Sequence, residues 1–137
     1  MKYFLIALFI VPILSFSSIN NNQRFVGKWI GEDKGDVGMI IFDKEGYAYF
    51  EIGEKSFGGK EFIYDGKKGK LTYSINSELD PIQVDFTITK LKTNEQMNLL
   101  GIAKFIDNEN MILALNFDDS RPNEFNDDNS IHLKKVE

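Results

Sequence analysis

A chain of 137 residues, 42% hydrophobic and 27% charged, carries enough apolar material for one folded domain and is neither disordered nor fibrous in composition. Its formal charge of −5 argues against nucleic acid and anionic lipid as partners, since both call for clustered positive charge. The absence of cysteine excludes a disulfide framework, a thiol nucleophile and a lipidated cysteine, so stability must come from a hydrophobic core.

The first stretch, MKYFLIALFIVPILSFS, has a basic Lys2, an apolar run from Tyr3 to Phe16, and small residues at Ser15 and Ser17 spaced for cleavage. That is the pattern of a secretory signal, and the run is shorter than the roughly 20 residues a membrane-spanning helix needs. The expectation is a signal peptide over residues 1–17, a polar linker over 18–23 and a folded domain over 24–137. The mature protein would be exported to a periplasmic or extracellular location with no permanent membrane anchor. Loss of Lys2 takes the formal charge from −5 to −6.

Beyond the linker, helical periodicity is almost absent and period two dominates. In IQVDFTIT, Ile82, Val84, Phe86 and Ile88 fall on one face while Gln83, Asp85, Thr87 and Thr89 fall on the other, which predicts a strand with one buried side. Comparable runs predict strands over 25–32, 37–42, 47–52, 61–64, 71–76, 99–106, 111–117 and 131–136. Between them, DKEG at 43–46 and DNEN at 107–110 supply the Gly, Asn and Asp of hairpin turns. GEKSFGGK at 53–60 reads as a flexible loop, DGKKGK at 65–70 as a hairpin tip with solubilising lysines, and KTNEQMNLL at 92–100 has room for one helical winding. Short strands joined by hairpins, without intervening helices, predict an all-β antiparallel sandwich or up-and-down barrel of about eight to nine strands; a barrel leaves no exposed edges.

The first strand contains FVGKWIGED, with Gly27 and Trp29 two apart and Phe25 on the same face. From the residues alone Trp29 is a core indole. The second half holds LDPIQVDFTIT, LLGIAKFIDNENMILALNF and SRPNEFNDDNSIHLKKV in succession. With the Gly-x-Trp of the first strand, this order and spacing resembles a family of small bacterial lipocalin-like domains of the calycin type, whose closing half carries an Arg-Pro-x-Glu-Phe motif. The resemblance runs from about Phe25 to Val136 and implies a lipocalin-like barrel. The chain departs from it at Lys104, where the family continues Gly-Ile-Tyr, and it lacks the Thr-Asp-Tyr element of true lipocalins.

Arg121, Pro122, Glu124 and Phe125 form that motif here. Pro122 fixes its own φ and disfavours helix at Arg121, Phe125 can plug an apolar opening, and Arg121 can pair with Glu124. In lipocalins an arginine near the end of the barrel covers the first-strand tryptophan. The last strand here has no arginine, so the resemblance makes Arg121 the candidate to lie over Trp29. Gly27, Trp29, Arg121, Pro122, Glu124 and Phe125 are thus the ligand-binding or barrel-closing candidates.

The acids Asp118, Asp119, Asp127 and Asp128 flank the motif, but they lack the spacing and central glycine of a calcium loop and read as solvated. His132, the single histidine, falls on a two-faced strand and reads as a wall residue rather than a general base. No catalytic constellation, metal site or cofactor motif emerges, so an enzyme is not expected. The leading reading is an exported protein holding a small apolar or amphipathic ligand in its barrel, motivated by the resemblance and by 12 Phe, 5 Tyr and 1 Trp. The alternative is a filled barrel acting as an interaction module, for example an inhibitor of an exported enzyme. Small barrels do either.

Overall fold

The computed structural model describes residues 21–31, 38–116 and 118–136. A short 3-10 helix, Asn21–Arg24, stands where the polar linker was expected to end. Nine strands follow: β1 (Gly27–Gly31), β2 (Gly38–Phe42), β3 (Ala48–Ile52), β4 (Lys55–Tyr64), β5 (Lys67–Asn76), β6 (Ile82–Lys90), β7 (Gln96–Asp107), β8 (Asn110–Asn116) and β9 (Ser130–Lys135). Each expected strand corresponds to one of these, and they form a closed antiparallel up-and-down barrel. The expected signal peptide lies outside the described residues.

The barrel closes where β1 meets β9, with Trp29 opposite Lys135 and Gly31 opposite Leu133. A ring of straight strands whose neighbours are all antiparallel requires an even number, so nine needs a local device. That device is β4, which bends at Gly58–Gly59 into two arms. Residues 55–58 pair with β3, residues 59–64 pair with β5, and Tyr47 bridges directly to Thr72 where the bend leaves a gap. Both glycines have positive φ, 134° and 84°, a conformation that side chains with a Cβ rarely adopt. GEKSFGGK is therefore the first arm and corner of a strand. Its glycines suggest a loop in the sequence because the same residues serve loops and strand corners. The 92–100 segment makes no helix: Asn94, with φ 64°, turns the chain, and β7 starts at Gln96.

Alternation along β6 follows its sequence through Thr87, with Val84, Phe86 and Ile88 buried and Asp85 and Thr87 outward, but Thr89, expected on the wet face, is buried at 5% exposure. The inward residues meet as a column of rings along the barrel axis. Successive centroids lie 6.1 Å apart for Trp29 and Phe105, 4.9 Å for Phe105 and Phe25, 5.6 Å for Phe25 and Phe42, and 5.7 Å for Phe42 and Phe86. The column continues through Phe50 and Phe57 to Phe62, at 4.9, 5.5 and 5.8 Å. Phe105–Phe25, Phe25–Phe42 and Phe86–Phe50 meet edge to face, a geometry worth about 0.5–1.5 kcal/mol per pair beyond burial, and the other pairs are tilted. Trp29, Phe25, Phe42 and Phe86 are fully buried. The abundance of Phe thus serves to fill the barrel.

Up-and-down topology sorts the connections onto two ends. One carries the 3-10 helix and the turns at 43–46 and 107–110. The other, here termed the mouth, carries the β4–β5 hairpin tip, the β6–β7 turn and the β8–β9 connection that contains Arg-Pro-x-Glu-Phe.

Candidate functional site

The first-strand candidates lie toward the helix end. Gly27 pairs with Phe42, and Trp29 points into the barrel, where its indole N–H donates to the Phe25 carbonyl at 2.8 Å. The cation over its ring belongs to Lys135, whose Nζ lies 5.6 Å from the centroid, while Arg24 covers the neighbouring Phe105 at 3.8 Å. Lys135 is the strand partner of Trp29, so a basic residue on the last strand does cover the indole, a lysine where the resemblance implied an arginine.

Arg121 is engaged elsewhere. Its guanidinium grips Asp85 with both nitrogens, at 2.6 and 3.1 Å, and donates to the Gly101 carbonyl at 2.9 Å. Topology explains this. The β8–β9 connection leaves and re-enters the barrel at the mouth and runs down the outer wall, where Asp85 projects from β6. Glu124 is exposed and does not pair with Arg121; its carbonyl accepts from the Asn129 side chain at 3.0 Å. Phe125 is not a plug but lies half-buried on the outer wall beneath Lys104, whose Nζ is 4.9 Å from its ring. Pro122 is buried.

The segment is thus an external strap. Ile102 and Ala114 have outward parity on β7 and β8, opposite to inward Ala103 and Leu113, yet they are 2% and 0% exposed. They form an apolar outer-wall patch that the strap covers. Asn side chains stiffen it: Asn126 Oδ1 accepts from the backbone N–H of Asp128 and Asn129, and Asn129 Oδ1 accepts from that of Asn126. Asp118 is held below the usual carboxylate range, chiefly by the Ser120 side chain and then by the Ser120 backbone. Among the described residues no group of three or more His, Asp or Glu is placed to hold a metal ion. His132 is exposed on the outer wall, 3.2 Å from Asn110 Oδ1.

The mouth holds what the sequence did not single out. A cleft of about 680 Å³ separates the β4–β5 tip from the β6–β7 turn, lined by Lys67, Lys68, Lys90, Leu91, Lys92 and Glu95 among others. An adjoining hollow of about 190 Å³ reaches Ile88, Met97, Gly69 and Tyr64. Ile88 and Met97 face each other on β6 and β7 with inward parity, but at the mouth Met97 is 45% exposed. Leu91 N–H donates to the Lys68 carbonyl at 3.0 Å, which fastens the two tips together, and Lys90 N–H donates to the Glu95 carbonyl at 2.8 Å, which closes the β6–β7 turn. Glu95 is held below the usual carboxylate range by the Thr93 hydroxyl first and by Lys90 second. The lysines of DGKKGK were visible as a tip; Lys90 and Lys92, more than twenty positions along, join them only through the β5–β6 register.

The fold and site together define a closed, ring-filled antiparallel β-barrel with an external strap and a basic, partly apolar mouth. No protein-family model, curated protein or solved structure matches the chain.

Proposed function

We propose that this is an exported, lipocalin-like binding protein that takes a small apolar or amphipathic molecule at the mouth of its barrel, and that it is not an enzyme. The observation that carries the reading is the hollow at the mouth, where Met97, of inward parity yet 45% exposed, stands beside the cleft and the hollow reaches down to the buried Ile88. Concave sites with an apolar floor and a few polar groups at the rim are where small ligands bind. Because rings occupy the barrel axis from Trp29 to Phe62, the ligand sits at the rim and not at depth. The lipocalin-like resemblance and the signal-like residues 1–17 support the family and the export. A native mass spectrum of protein purified from its own host tests the reading. A retained small molecule is the expected result, and a bare chain that binds no amphiphile afterwards refutes it.

The filled axis also favours a second reading, a periplasmic or secreted interaction module that inhibits or escorts another exported protein. Its surface would be the strap, where Asn123 and Glu124 are exposed beside a polar hollow of about 610 Å³. Co-purification of a protein in place of a small molecule would select it.

A further inference from the structure

Granting the mouth as the ligand site, we infer that its ligand carries an anionic head, a phosphate, sulfate or carboxylate, held between the two hairpin tips. The chain is acidic overall, yet the cleft is lined by Lys67, Lys68, Lys90 and Lys92 with Glu95 as its single acid. Three of the four lysines belong to strands, Lys67 and Lys68 to β5 and Lys90 to β6, so their stems are positioned by the ladder. Lys68 and Lys90 are paired with Glu61 and Glu95 at 3.6 and 3.5 Å, loose contacts at exposed side chains that an entering anion can displace or share. Among the described residues neither Lys67 nor Lys92 makes an ion pair. Asp65 at the hairpin tip is the remaining nearby acid, and it does not line the cleft.

The apolar floor supplies the second half of the chemistry. Lys67 and Lys90 share the inward parity of Gly69 and Ile88, so an anion between their ammonium groups places its apolar body toward Ile88 and Met97. The hollow is small, which suits a single short chain or ring, and exposed Leu91 and Tyr64 extend the apolar surface beside it. The chemistry is that of a free anionic amphiphile or of an anionic lipid headgroup, and the overall charge alone conceals it because the acids lie elsewhere on the surface.

Titration calorimetry of the purified protein with monomeric dodecyl phosphate, matched against dodecyltrimethylammonium, tests the inference. The phosphate should bind at least ~10-fold more tightly and lose affinity with added salt, as a solvent-exposed charge contact does. Lys67→Glu with Lys92→Glu should abolish that preference, while unchanged Trp29 emission, from the far end of the ring column, shows the barrel intact. Parallel sedimentation with phosphatidylglycerol vesicles separates the sources: capture by vesicles without monomer binding assigns the head to bilayer lipid, and monomer binding assigns it to a free amphiphile. Equal binding of both amphiphiles, unaffected by the charge reversals, overturns the anionic head and leaves the mouth as a site. No binding of either amphiphile or of vesicles overturns the mouth as well.

Discussion

Cutting the Asp85–Arg121 grip should destabilise the barrel far more than a surface substitution does, although Asp85 has the outward parity that the sequence predicts for it. The two side chains keep 28% and 26% of their exposure, so neither is free in water nor fully desolvated. A fork of two charge-assisted bonds at 2.6 and 3.1 Å is stronger than an exposed pair, worth up to about 1 kcal/mol, and weaker than a dry one, because water can re-enter. The coupling in a double-mutant cycle of Asp85→Ala and Arg121→Ala should therefore be about 1–2 kcal/mol. Arg121→Ala alone should cost about 2–3 kcal/mol, since the Gly101 carbonyl also loses its donor and the strap loosens over Ile102 and Ala114. Urea unfolding followed by Trp29 emission measures both, and at this size each kcal/mol lowers Tm by about 4 °C. The native emission maximum should not move, because Trp29 is covered by Lys135 and not by Arg121. A coupling below about 0.3 kcal/mol, or a red-shifted native spectrum in Arg121→Ala, would refute the strap as described.

Gly58→Ala should cost about 2–3 kcal/mol, because φ is 134° and the added methyl would overlap the Ala48 carbonyl and approach Tyr49 Cα to 2.7 Å; an unchanged midpoint would remove the corner from β4. Gly101→Ala should cost about 1–3 kcal/mol by overpacking, since its Cβ would stand 2.6 Å from Leu115 Cδ2, 2.7 Å from the Ala114 carbonyl and 2.9 Å from that of Val84. Burial, and secondarily the charge of Asp43, raises the Tyr73 hydroxyl above its usual 10.0, and that hydroxyl donates to the Asp43 carbonyl at 2.6 Å. A raised folded-state value means the associated stability is fully present below the unfolded value and is lost as pH climbs through the folded one. Tyr73→Phe should therefore be less stable than the parent at neutral pH by about 1 kcal/mol, and the gap should shrink above pH ~10; a gap that widens there would contradict the assignment.

The strands were legible from period-two runs such as that of β6, where a one-residue slip would expose the whole inward set, although β7 and β8 bury adjacent residues where the strap covers their outer faces. The corner of β4 was not, since Gly58 and Gly59 carry no side chain to show a period. Arg-Pro-x-Glu-Phe stood out as an interruption, but its partners did not. Arg121 reaches Asp85, which is 36 positions away and looks like an ordinary solvated acid on the wet face of β6. The cover over Trp29 was one register position away on Lys135, and the lysines of the mouth come from two hairpins that only the closed sheet brings side by side. Local pattern carries strand existence and facing; contacts between distant loops depend on barrel closure, which no local window contains.

Rings fill the barrel axis, which leaves the lysine-rimmed mouth as the proposed ligand site. Residue-resolved NMR of the labelled protein during titration with dodecyl phosphate tests it most directly. Saturable shift changes at Gly69, Ile88, Lys90 and Met97, with Phe25, Trp29 and Phe105 unmoved, are the predicted result. Changes centred on Phe25, Trp29 and Phe105, or no saturable change at the mouth, would contradict it.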